Sequence, residues 1–201
     1  MYRSFFYSSG IIFSSISIFS ILISCFFIPI FSSSSNTSIS SSDTQLSLTL
    51  SSSGYVWPVP GYTKISSKFG PRKSPTVGAS SYHKGIDVAA PTGTNLVAIT
   101  DGIITFAGFS GSGGFTITYK CNNLKIPYCH VSPNLLVSVG DNIRAGQIIA
   151  TVGPKNVYGV LNNPYKDKNG KPTNGAITGS HLHLSIKKDD KHIDPLSLLS
   201  I

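Results

Sequence analysis

FTITYKCNNLKIPYCH, residues 115–130, decides the fold. In Phe115–Cys121 the apolar Phe, Ile and Tyr alternate with Thr, Thr and Lys, and Leu124–His130 repeats the alternation with Leu, Ile and Tyr. That period of two is a strand's, with successive side chains on opposite faces. Asn122-Asn123 between the arms has the composition of a two-residue turn, so the stretch reads as an antiparallel hairpin. Working outward, Asn95–Thr100, Gly102–Phe106, Leu135–Val139 and Gln147–Val152 show the same short pattern, punctuated by Gly, Pro and Asn. No amphipathic run is long enough for a helix. The expected fold class is all-β, a compact antiparallel sandwich or barrel-like domain over residues 55–201, entered at YVWP, residues 55–58.

Ahead of this domain the composition changes twice. Residues 32–54 are about half serine; such a segment buries too little apolar surface to order itself and reads as a flexible linker. A short edge strand at Leu46, Leu48 and Leu50 is the structured alternative there. Ser4 to Phe31 carries no charge and is rich in Ile and Phe. As a helix, Gly10 to Phe31 would span roughly 33 Å, enough to cross a bilayer. With Arg3 ahead of it, the N-terminus is expected in the cytoplasm and the β-domain outside. Residues 1–31 are therefore expected to be a membrane anchor, with a cleaved signal as the alternative. A lipobox reading of Leu22-Ile23-Ser24-Cys25 is opposed by the apolar Phe26-Phe27-Ile28 that follows. All three readings export the domain.

The charge lies almost wholly in the domain. Lys and Arg number 16 against 8 acidic residues, a formal +8, and Arg3 and Asp43 are the only charges before Tyr55. Such a field favours polyanions, among them anionic wall polymers; a plain lysine-rich surface is the alternative. With no run of five or six basic residues and no aromatic-basic interleaving, nucleic acid is not an expected partner. Cys121 beside the turn and Cys129 five residues along the returning arm would lie too far apart to bridge, so both are expected to be free thiols.

The chemistry rests on histidine and aspartate. Of five histidines, four fall in three short motifs: His83 in YHKGID with Asp87, His130 in PYCH, and His181 and His183 in GSHLHLS. The chain has no glutamate, so a buried acid-base site must use His and Asp. In Ser180–Leu184 alternation puts His181 and His183 on one strand face and both leucines on the other. Gly85, Ile86, Val88 and Pro91 oppose a helix around His83 and Asp87, which places His83 in a loop before a strand beginning near Asp87. Each motif alone has a bland reading: a surface histidine, an aspartate in a turn, a half-buried histidine bonded to backbone. Together they suit a mixed N/O zinc site, in which three ligands leave a position open for water that ionises near neutral pH.

Residues 57–198 resemble a lysostaphin-type zinc endopeptidase domain, a peptidoglycan hydrolase. The matching stretches are WPVPG, SSKFGPR, HKGIDVAAPTGT, the YCH answering Tyr-x-His, VGDNIRAGQ, TGSHLHLSI and DPLSLL. The resemblance implies one zinc ion held by His83, Asp87 and His183. It implies His130 and His181 as a non-ligating catalytic pair that orients and deprotonates the attacking water and stabilises the tetrahedral intermediate. Phe69, Gly70 and Arg72 match scaffold positions. The implied substrate is peptidoglycan stem or cross-bridge peptide, with any activator protein left open. Two departures stand out. Pro127, before Tyr128, lacks a ladder donor and predicts an edge strand or a bulge. Pro154–Ile177 is inserted ahead of the HxH strand and is expected, with Tyr158, Tyr165 and several lysines, to wall the cleft.

Other readings are weaker. A mononuclear iron oxygenase expects HxD, not the HxxxD present here. A non-catalytic wall-binding or division-regulating module on the same fold would be favoured by a lost ligand, and all five residues are present. Val139–Gln147 resembles a biotinyl or lipoyl carrier hairpin but lacks the lysine that such a hairpin modifies.

Overall fold

The computed structural model describes residues 54–201. The expected anchor, linker and leucine-rich edge strand lie outside the described residues. Thirteen strands follow one another: β1 Ile65–Ser67, β2 Gly70–Pro71, β3 Tyr82–His83, β4 Ile86–Ala89, β5 Asn95–Val97, β6 Gly102–Phe109, β7 Phe115–Cys121, β8 Leu124–Cys129, β9 Asn142–Ile143, β10 Ile148–Thr151, β11 His181–Leu184, β12 Ile186–Lys188 and β13 Lys191–Ile193. Among the described residues the only helical segments are single 3-10 turns at Gly111–Gly113 and Pro195–Ser197. The all-β antiparallel class expected from the sequence is what forms.

The main sheet runs β1-β4-β11-β8-β7-β6-β9, with β12 continuing beside β8 and β13 beside β12; β5 with β10 and β2 with β3 form two small sheets. The 115–130 hairpin forms in the expected register, Cys121 opposite Leu124 and Thr116 opposite Cys129, with Asn122 at φ 50° in the turn. Cys121 and Cys129 thus sit at opposite ends of the hairpin, both as free thiols.

One face of the sheet is the core. Ile117, Tyr119, Ile126, Tyr128, Leu182, Leu184 and Ile186 point inward and are fully buried, packed with Leu96, Ile99 and Ile149. The two buried phenols have partners: Tyr128 Oη donates to Val97 O at 2.8 Å, and Ile99 N donates to Tyr119 Oη at 2.9 Å. These bonds tie the β5 segment to the sheet and satisfy groups that would be costly to bury alone. Burial pushes both phenol pKa values upward.

Two local expectations are corrected. Leu135–Val139 is not a strand: Val137 is buried and Leu135 packs against the core, but no strand lies alongside. An extended loop anchored at alternate residues gives the same pattern as a strand. It ends in a turn where Ser138 N donates to Asp141 Oδ2. Pro127 marks neither an edge nor a bulge. β8 has β7 on one side and β11 with β12 on the other; the β7 register runs through Pro127, and β11 and β12 keep the same offset along β8 on either side of it. Ser185 N still donates to Pro127 O at 3.1 Å, so the proline removes one ladder bond where β11 gives way to β12.

Candidate metal centre

The face opposite the core carries the site. Inward burial of Leu182 and Leu184 turns His181 and His183 outward, the alternation read from GSHLHLS. β11 is flanked by β4, with His183 opposite Asp87, and by β8, with His183 opposite Cys129. His83 is in a short strand rather than the expected loop, paired with Gly70, and β4 begins at Ile86, beside the predicted start. Gly85 makes the approach possible. A Cβ there would lie 2.2 Å from Leu184 O and 3.0 Å from His183 Cε1, so any side chain would push the HKGID segment off β11.

Three donor atoms converge. His183 Nδ1 lies 2.8 Å from Asp87 Oδ1 and 2.9 Å from His83 Nε2, and His83 Nε2 lies 3.1 Å from Asp87 Oδ1. His83 Nδ1 is 2.9 Å from Lys68 O, which can only accept, so Nδ1 carries the proton and Nε2 turns a lone pair into the cluster. One ligand atom from each of the three side chains faces a common point. A tetrahedral zinc with bonds of about 2.0–2.1 Å needs ligand atoms about 3.3 Å apart, a few tenths wider than found, so these residues fit such an ion. Burial acts to raise the Asp87 pKa, but the adjacent imidazoles, His183 first and then His83, outweigh it and favour the ionised carboxylate, well below the usual range.

The remaining two histidines flank this cluster. His181 Nε2 stands 3.6 Å from Asp87 Oδ1, and its ring centroid is 4.9 Å from that of His130. Each has its other nitrogen fixed: His181 Nδ1 donates to Gly179 O at 2.8 Å and His130 Nδ1 to Asn174 O at 2.7 Å. Both therefore present Nε2 as the free nitrogen. Burial, reinforced by His181 and His183 nearby, pushes the His130 pKa down to about 3; burial also lowers that of His181. His130 adopts φ 60°, held by Gly113 O, which accepts from its N–H, and by Gly153 N, which donates to its carbonyl. A histidine in this left-handed region is uncommon and directs the ring across the sheet.

The five residues open on a groove. One part, about 330 Å³, is lined by Ser67, Arg72, Asp87, His130, His181 and His183 among others. A second part, about 390 Å³, runs along β8 and β12 past Pro127 and Ser185. Of the Pro154–Ile177 insertion, only Ala176 lines either part, so Tyr158 and the insertion lysines do not wall the cleft. The insertion instead buttresses the rim: Tyr165 packs against Gly78, whose loop forms part of the wall. Cys129 lies on the groove floor as a neutral thiol, its pKa pushed up to about 11 by desolvation.

Two residues with supporting roles did not stand out in the sequence as part of the site. Arg72, expected to be scaffold, touches the centre: its Nη1 donates to Asp87 Oδ2 at 3.1 Å and to Ser67 Oγ at 2.6 Å, leaving Oδ1 to face the histidines. Partners of this kind orient a ligand and raise metal affinity. Arg72→Gln is expected to weaken zinc binding about 10- to 100-fold in a chelator-competition titration, with the fold retained. Asn174 is fully buried; its carboxamide accepts from Phe115 N and donates to Val131 O, while its carbonyl holds His130. Asn174→Ala would strand two buried backbone groups, and denaturant unfolding should show a loss of about 2–4 kcal/mol.

An antiparallel β domain with a His/His/Asp cluster and two more histidines along an open groove has the equipment of a hydrolytic metal centre. The chain belongs to peptidase family M23, whose model matches residues 81–195. It is 33% identical over 138 residues to the DD-carboxypeptidase/endopeptidase Mpg of Neisseria meningitidis, a match covering 68% of this chain and 27% of that protein. The chain thus spans about a quarter of the length of that relative. It is 27% identical over 149 residues to the murein hydrolase activator NlpD of Salmonella, covering 73% of this chain and 32% of NlpD. Among solved structures, the catalytic domain of lysostaphin from Staphylococcus simulans aligns with TM-score 0.52 and 29% identity, over 68% of this chain and 90% of that one.

Proposed function

We propose that this protein is a zinc endopeptidase that hydrolyses peptide bonds in the stem or cross-bridge peptides of peptidoglycan. The observation that carries the reading is the convergence of His83 Nε2, Asp87 Oδ1 and His183 Nδ1 beside two histidines whose Nε2 atoms are free. In this reading His83, Asp87 and His183 hold the metal, and His130 and His181 do not. A bound zinc supplies Lewis acidity and a water acidic enough to ionise near neutral pH.

The chain's own residues do the rest. His130 and His181 are neutral at working pH, because the site disfavours their charged forms. A neutral imidazole with Nδ1 tied to a carbonyl can take a proton at Nε2 from the attacking water. The imidazolium so formed can donate to the substrate oxygen as it gains charge, or return the proton to the leaving amine. Asp87 stays ionised throughout and is held in place by Arg72. The groove along β8 and β12 gives an extended peptide a path across the centre.

We place the domain outside the cytoplasm, tethered by residues 1–31 through the serine-rich linker, with secretion after signal cleavage as the alternative. The linker would let the domain range roughly 25–30 Å from its anchor. The test is digestion of purified peptidoglycan followed by mass analysis of the released fragments. New amine and carboxylate termini at one peptide bond, abolished by a chelator, are expected; intact peptides after prolonged digestion would overturn the reading. The likeness to NlpD favours one competitor, a non-catalytic regulator of wall hydrolysis, which would bind wall material and leave its peptides intact.

A further inference from the structure

Away from the metal centre a row of basic side chains crosses the sheet, and Lys125, Lys187 and His192 of that row line the groove. Lys120 on β7 lies directly opposite Lys125 on β8, Lys125 opposite Lys187 on β12, and Lys187 opposite His192 on β13. All four share the outward face with His183, since Ile126, Leu184 and Ile186 between them are buried on the other. Lys84 adds a further cation on the rim of this part of the groove, and no carboxylate is among its lining residues. Asp189, in the turn between β12 and β13, accepts from Asn123 Nδ2 at 3.0 Å. Like charges placed directly across a ladder oppose pairing, yet two strand pairs, Lys120 with Lys125 and Lys125 with Lys187, accept them here. His192, the histidine outside the metal site, is anchored by Ser185 Oγ at 3.0 Å; burial, then Lys187 and Lys84, lower its pKa.

We propose that this row is a carboxylate-recognising subsite of the peptide cleft, in which Lys125 and Lys187, flanked by Lys84 and His192, bind an anionic group of the substrate. The inference rests on the endopeptidase reading and adds a substrate class to it: peptides bearing a free carboxylate at a set distance from the scissile bond. Four residues of strand separate His183 from Lys187, roughly 13 Å. An extended peptide covers that distance in about four residues. Lys125, Lys187 and His192 form a single file across a groove that also contains His83, His130 and His183. That shape suits one carboxylate of a peptide already in the groove better than the spread phosphates of a wall polymer.

The test uses the full chain and soluble cross-linked stem-peptide dimers, either with free carboxylates or with the same carboxylates amidated. Cleavage and equilibrium binding are both measured. The protein is expected to prefer the free-carboxylate dimer about tenfold, through KM rather than kcat, and less so at high salt. In Lys125→Gln/Lys187→Gln the preference should collapse to within about twofold, and Lys125→Arg/Lys187→Arg should restore it. Cleavage of both dimers with equal KM by all three proteins would overturn the subsite and leave the peptidase intact. Tighter binding of the free-carboxylate dimer that is lost in the glutamine variant, with no cleavage of either, would uphold the subsite and overturn the peptidase. Lysine-dependent binding of purified anionic wall polymer, with no preference between the dimers, would assign the row to that polymer and overturn the proposal.

Discussion

His183→Ala is expected to abolish both metal binding and peptidoglycan hydrolysis. Its Nδ1 lies within 3 Å of both His83 Nε2 and Asp87 Oδ1, so its loss opens one corner of the cluster. The other two donors cannot replace it: His83 Nδ1 is committed to Lys68 O, and Asp87 Oδ2 to Arg72. A two-ligand site holds zinc poorly, and hydrolysis should fall by at least about a thousandfold, to the limit of detection. The fold should survive, because His183 is half-buried and the core side of β11 is carried by Leu182 and Leu184. Zinc content by mass spectrometry and release of wall fragments check the two halves together. Loss of activity with zinc retained at full stoichiometry would contradict the assignment of His183 as a ligand.

The second large effect separates proton handling from metal binding. His130→Asn should lower activity by about a hundred- to ten-thousandfold while zinc stoichiometry stays at one. Asparagine tolerates the left-handed backbone at this position, so the loss should not be one of folding. The same variant tests the buried, neutral state of His130. Its folded pKa of about 3 lies below the ordinary 6.5, so its contribution to stability is full above about pH 6.5 and fades as pH falls toward 3. The metal-free protein should therefore lose stability across that window, and His130→Asn should lose less of its own. Equal acid sensitivity in the two proteins would argue against a buried neutral imidazole.

What could be read from the sequence was what short-range pattern determines. The NN turn and its alternating arms specified the central hairpin, and HLHL specified which face His181 and His183 take. All five candidate site residues come together, though nothing in the local spacing of YHKGID shows that His83 and Asp87 meet a strand almost a hundred residues later. Alternation also misled. Leu135–Val139 alternates because Val137 and Leu135 anchor a loop, and no backbone partner is present to make it a strand. Arg72 and Asn174 were not legible as supports, because their roles exist only once the Arg72 side chain, just past β2, reaches Asp87 on β4 and the base of the insertion meets the end of β8. Gly85 reads as an ordinary turn residue until Leu184 O is found where its Cβ would be. The lysine row is of the same kind: Lys120, Lys125 and Lys187 align only through two strand registers. The Pro154–Ile177 insertion does not wall the cleft with Tyr158, Tyr165 and its lysines as its composition suggests; its contribution to the groove is Ala176 and the support given by Tyr165 and Asn174.

The division of labour among the five residues is tested most directly by zinc-edge anomalous diffraction from crystals of the zinc-loaded protein. The account predicts one anomalous peak, within bonding distance of His83 Nε2, Asp87 Oδ1 and His183 Nδ1 and beyond it from His130 and His181. A peak bonded to His130 or His181, or no peak at this cluster, would contradict it.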